Sequence, residues 1–109
     1  MPITRRQFEL GIDDTIAEWM RKVHALLAQN RDQAFSEQEI TDALKDDINA
    51  FQRELRIARG FDPDEDDIIV GRPPIPTAIA KLREIFAVEA REVDSGIYYA
   101  YRGDLPDLR

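Results

Sequence analysis

Apolar positions recur with a helical period over most of this chain and change to β-type runs near its end. Ile12, Ile16, Trp19, Met20, Val23, Leu26 and Leu27 follow one another at spacings of four, three or one, a continuous stripe along one face of a helix. Asp13 or Asp14 can accept hydrogen bonds from the first free N–H groups of that helix and suits its positive end. Asn30 is placed to end it as a left-handed cap. Ahead of it, Ile3, Phe8 and Leu10 alternate with polar residues, which reads as an N-terminal arm over residues 1–11, a short extended piece that must pack on something.

Ser36 and Glu39 have the spacing of a capping box, and Phe35 and Ile40 that of a hydrophobic staple, so a second helix starts at Glu37. Ile40, Leu44, Ile48, Phe51, Leu55 and Ala58 carry the period on to Gly60. Residues 37–59 are either one long helix or two, broken near Lys45-Asp46-Asp47, where an aspartate can cap the second. Residues 61–76 read as a loop, because Pro73, Pro74 and Pro76 exclude a helix interior or a central strand. Pro76 suits a first helical turn. Thr77 to Ala87 then read as a helix with Ile75, Ile79, Leu82 and Phe86 as its buried stripe and Ala78 and Ile85 beside it. The period stops at Val88. Val88–Val93 and Ile97–Tyr101, rich in β-branched and aromatic residues, flank Asp94-Ser95-Gly96 and predict a β-hairpin. The tail from Asp104 reads as irregular.

At 109 residues the chain fits a single domain. Cysteine is absent, which excludes disulfides, thiolate metal sites and cysteine nucleophiles. No apolar run approaches a membrane span, and Arg5-Arg6 near the start has no apolar run behind it, so neither a membrane contact nor a signal peptide is expected. A cytoplasmic protein is the expectation. The net charge of −7 is unevenly spread: residues 1–69 hold 9 basic and 16 acidic side chains, residues 70–109 hold 6 of each. A polyanion is repelled by the first part and not by the last third.

The segment Val23-His24-Ala25-Leu26-Leu27 through Phe35-Ser36 to Leu44 resembles the first two helices of the winged helix-turn-helix DNA-binding domain family. The segment Ile79 to Glu89 with the hairpin after it resembles that family's third helix running into its wing. About 65 of the 109 residues are covered. The resemblance implies a mainly α fold with a small antiparallel hairpin: a winged-helix three-helix core, with the wing at 88–103. The chain departs from the family at 46–75, where about 30 residues stand in place of a short turn. They form an insertion that would hold a helix at about Asp47–Arg59 and an acidic loop, which favours the break near Asp46. It departs again at Phe86, where the family commonly has glycine.

The resemblance further implies a non-enzymatic protein that binds double-stranded DNA, a small transcriptional regulator using helix 77–87 and hairpin 88–102. Arg72, Thr77, Lys81, Arg83, Arg91 and Arg102 are the candidate contacts, since Lys and Arg neutralise phosphates and can donate to guanine. The plainer account of the helix face is a solvated surface on which Lys81 and Glu84 pair. A homodimer would form through the arm, at Phe8 and Leu10, or through the inserted helix. The alternative is a winged-helix module that binds a protein through the acidic insertion and the apolar arm, without touching DNA. Asp62, Asp64, Asp66 and Asp67 suggest calcium, but an EF-hand loop from Asp62 needs Gly and Glu where Asp67 and Pro73 stand, so a solvated acidic loop is the better reading. His24 reads as a boundary residue, and the serines Ser36 and Ser95 have structural work. Tyr99 and Tyr101 share one strand face and Tyr98 takes the other, completing a small core or stacking on unpaired bases. No phosphate loop, nucleophile motif or acid/base pair is present, so no catalytic residue, cofactor or metal is expected.

Overall fold

In the computed structural model, which describes residues 2–65 and 71–109, the first three helices each begin at a side chain that satisfies free backbone N–H groups. The Thr4 hydroxyl accepts from Gln7 N at 3.1 Å, and the Gln7 amide oxygen accepts from Thr4 N at 3.1 Å, a closed capping box that starts α1 (Arg5–Leu10). The N-terminal arm is thus helical and not the extended piece expected. Gln7 is buried, and its Nε2 donates to Asp14 Oδ1 at 2.7 Å, which fastens α1 to the next helix. Gly11 ends α1 at φ +71°, in the region open to glycine.

Asp13 caps α2 (Asp14–Ala28) by accepting from Ile16 N at 2.8 Å. The exit of α2 differs from expectation. Gln29 is a right-handed cap, and Asn30 is not left-handed; its Nδ2 donates to the Leu26 carbonyl at 2.8 Å. That bond satisfies a free carbonyl at the helix end by another route. Ser36 and Glu39 close the second capping box, at 3.2 and 2.9 Å, and start α3 (Glu37–Ala43).

Residues 37–59 hold two helices. Leu44 interrupts the coil, and α4 (Lys45–Ala58) follows at once. The break lies at Leu44 and not at Asp46, and no aspartate caps α4. Asp46 and Asp47 occupy its first turn, where they favour the positive end of the dipole. Two contacts hold α4 to α2: Lys22 Nζ donates to Asp47 Oδ1 at 3.0 Å, and Trp19 meets Phe51 edge-on with ring centroids 5.7 Å apart.

The next helix, α5 (Ile75–Glu84), buries Ile75, Ala78, Ile79 and Leu82 and packs chiefly on α2, whose Ala17, Trp19, Met20, Val23 and Leu27 are buried. It stops short of the expected Ala87. Phe86 N donates to the Arg83 carbonyl at 3.1 Å and Ala87 N to the Leu82 carbonyl at 3.0 Å, the paired bonds of a Schellman ending. Phe86 is the left-handed residue of that motif, at φ +61°, and is 65% exposed, so it does not belong to the buried stripe.

The hairpin forms where predicted, from β2 (Val88–Val93) and β3 (Gly96–Tyr101), with Val88 opposite Tyr101 and Val93 opposite Gly96. The positive φ of its turn falls on Asp94, at +56°, and not on the glycine. A strand that the pattern did not announce, β1 (Phe35–Ser36), pairs with β3 and gives the antiparallel order β1-β3-β2. Helices and sheet share one cluster of buried residues, which includes Trp19, Met20, Leu27, Ile40, Leu82 and Leu108. The tail is irregular, as expected, yet Leu108 is in the core. Among the described residues no helix is long and apolar enough to cross a membrane.

Two substitutions check this account. Ser36→Ala removes the oxygen that caps α3 and is expected to lower stability by about 1 kcal/mol in a urea or thermal melt. Phe86→Gly gives up little burial and releases a bulky residue from a left-handed backbone, so it is expected to raise stability by about 0.5–1 kcal/mol in the same melts.

Candidate nucleic-acid interface

Helical geometry separates the candidate contacts of α5. Successive residues turn by roughly 100°, so Lys81 and Arg83 project from opposite flanks of the helix. Lys81 is only 25% exposed in its side chain; its Nζ lies 3.2 Å from Glu84 Oε2 and crowds Gly11, where an added Cβ would come to 2.9 Å from it. Thr77, Ala80 and Glu84 are exposed between the two flanks. Arg72 is exposed elsewhere, on a cleft formed by α3, α4 and the stretch from Pro73 to Pro76. The six candidates therefore do not form one surface.

Three of them do converge. An open cleft of about 710 Å³ lies at the corner between α5 and the hairpin, lined by Arg83 and Glu84 of α5, by Phe86, by Glu89 and Arg91 of β2, and by Arg102 just after β3, so that three arginines and two glutamates share it. The corner is built by the backbone. The Ala87 carbonyl accepts from Arg102 N at 3.0 Å and from Gly103 N at 3.3 Å, which seats Arg102 beside Phe86, its guanidinium carbon 5.1 Å from the ring centroid. Arg91 is highly exposed and its Nε lies 4.0 Å from Glu89. Among the described residues no carboxylate pairs with Arg83 or Arg102. Phe86, which the sequence did not offer as a contact because its spacing from Leu82 fits a buried stripe, is the large apolar residue of the lining. The glycine that the resemblance puts at this position is the signal that a left-handed backbone is needed there.

Behind the hairpin a polar cluster ties the tail down. His24 Nε2 lies 2.8 Å from the Gly103 carbonyl, the Arg31 guanidinium sits 4.3 Å above the Tyr101 ring, and the Tyr101 hydroxyl donates to Asp104 Oδ1 at 2.9 Å. Tyr99 and Tyr101 pack against the core, while Tyr98 lies on the opposite face, across from Ser36 and Arg91. In the insertion, Arg53 pairs with Asp64 at 2.7 Å, and Asp62 Oδ1 accepts from Asp64 N at 3.0 Å. Asp66 and Asp67 lie outside the described residues. Among the described residues no cluster of His, Asp and Glu could hold a metal ion.

The hydrogen bond to Asp104 holds the Tyr101 phenol above its ordinary pKa; desolvation adds to the rise and the Arg31 charge opposes it. A pKa raised by folding contributes stability at pH below the ordinary phenol value, which is lost as pH climbs through the folded one. Ultraviolet titration is therefore expected to show the component removed by Tyr101→Phe ionising at higher pH in the parent than in Asp104→Asn. Compared with protein-family models, with curated proteins and with solved structures, the chain matches none.

Proposed function

We propose that this chain is a winged-helix protein that binds double-stranded DNA in transcriptional control, with the C-terminal end of α5 and the β2–β3 hairpin against the duplex. One observation carries the reading: Arg83 of α5, Arg91 of β2 and Arg102 just after β3 meet at one open corner of a protein whose net charge is −7. Arginines gathered on one open face, in excess of the two glutamates beside them, are the electrostatic footprint of a backbone contact. The order of elements supports the same reading. The strand β1, between α2 and α3, pairs with β3, so the paired helices, the third helix α5 and the hairpin form one unit.

The reading as a protein-interaction module has its own observation. Phe8 on α1, and Ile57 and Phe61 at the far end of α4, are exposed apolar side chains remote in sequence from the corner.

Titration of a labelled mixed-sequence duplex at rising salt separates the two. Affinity for DNA is expected to fall steeply with salt. Charge reversal at Arg83, Arg91 or Arg102 is expected to weaken binding about tenfold and to flatten the log–log salt slope by about one. Lys81→Glu, on the other flank, is expected to do less. Absence of binding at about 50 mM salt, or arginine variants that behave like the parent, would leave the interaction module standing.

A further inference from the structure

The corner cleft holds a large apolar ring where charge alone would serve a phosphate. Phe86 is 65% exposed, and its backbone is held at φ +61°, a conformation that favours glycine. Nothing in the packing of the core calls for a ring there. Its position is nevertheless fixed. Phe86 N and Ala87 N both donate to carbonyls of α5, and the Ala87 carbonyl is held by Arg102 N and Gly103 N. An aromatic side chain is therefore presented outward on rigid backbone, at a site where strain of this kind is often tied to ligand contact.

We infer that Phe86 is a wedge that enters between stacked bases of the bound duplex, with Arg102 beside it and Arg83 and Arg91 on the flanking phosphates; this rests on the DNA-binding reading above. The surroundings select this occupant. A ring with Arg102 over it and two further arginines in the same cleft, in excess of Glu84 and Glu89, suits a ligand that offers an apolar π face and negative charge together, and a base step with its phosphates does so. Insertion separates two bases, and the free energy lost in unstacking is regained in contact with the ring and in neutralised phosphate. A step that is already disrupted loses less on insertion. The wedge should therefore prefer a duplex with an unpaired base, a preference that arginines alone have no means to create.

The test compares two labelled duplexes of equal length and flanking sequence, one fully paired and one with a single bulged adenine, by anisotropy at low salt. The parent is expected to bind the bulged duplex about tenfold more tightly. Phe86→Gly is expected to erase that preference while keeping the salt slope on the paired duplex, and Phe86→Leu, which retains an apolar wedge, is expected to keep part of it. A melting temperature for Phe86→Gly at or above that of the parent shows that the loss is not unfolding. If the parent binds both duplexes equally, or if Phe86→Gly keeps the full preference, the wedge is wrong and DNA binding stands. If neither duplex is bound, the DNA reading itself fails and the wedge with it.

Discussion

Ala87 joins α5 to the sheet through the two peptide groups that flank its Cα. The N–H of Ala87 closes α5 on the Leu82 carbonyl, and the carbonyl of the same residue takes the N–H groups of Arg102 and Gly103 at the end of β3. Ala87 is fully buried, so losing either set of bonds would leave a polar group without water at a cost of about 1–3 kcal/mol. Meeting both demands at Ala87, three residues beyond the last residue of α5, requires the chain to reverse at position 86, whatever side chain stands there. The strain at Phe86 is thus the consequence of docking a hairpin onto α5, and the cleft between them follows from the same reversal.

The local grammar of the fold was legible in short polar motifs. Asp13 and the Ser36/Glu39 box mark helix starts, and the change of period at Val88 marks the hairpin, because capping and pleating depend on neighbours a few residues apart. The same grammar is present at Thr4-x-x-Gln7, where the spacing of Ile3, Phe8 and Leu10 points instead to an extended arm. What escaped the pattern depended on distant partners. β1 is only Phe35–Ser36 and exists as a strand because Tyr98 and Tyr99 lie across from it. Asn30 ends α2 through its side chain and not through a left-handed backbone. Phe86, four residues beyond Leu82, continues the apolar stripe in the sequence, but the helix has already ended and the ring points to solvent. The candidate site was half legible for the same reason. Arg83, Arg91 and Arg102 meet only through the α5–hairpin docking, while Lys81 belongs to the other flank.

Charge placement explains how an acidic chain can hold a basic corner. Away from it, four cations are paired with carboxylates, Arg5 with Glu9, Lys22 with Asp47, Arg53 with Asp64 and Lys81 with Glu84, while others such as Arg6, Arg21 and Arg59 stand in no such pair among the described residues. Pairs this exposed add little stability, on the order of 0–1 kcal/mol each. Their consequence is for the surrounding field, since a paired cation contributes little at distances beyond a Debye length of about 8 Å. Arg83 and Arg102 have no such neighbour among the described residues, and only Glu89 approaches Arg91. The cleft sets three arginines against two glutamates, Glu84 and Glu89, a small local excess of positive charge on an acidic chain.

That distribution also constrains how a duplex would lie in the DNA-binding reading. A helix laid along the major groove would press Thr77, Ala80 and Glu84 toward the bases, and Glu84 would meet phosphate oxygens with a charge of the same sign. The carboxyl end of α5 carries the negative pole of its dipole, which repels phosphate further. Arg83 lies in that last turn and Arg91 and Arg102 just beyond it, so they offset both effects at one end of the helix only. A tilted approach follows, with the duplex touching the α5–hairpin corner and leaving the amino-terminal turns of α5 and the acidic insertion away from the backbone. Contact confined to a corner offers few phosphates, and a ring entering the base stack there adds what a short line of arginines lacks: an interaction that salt does not screen.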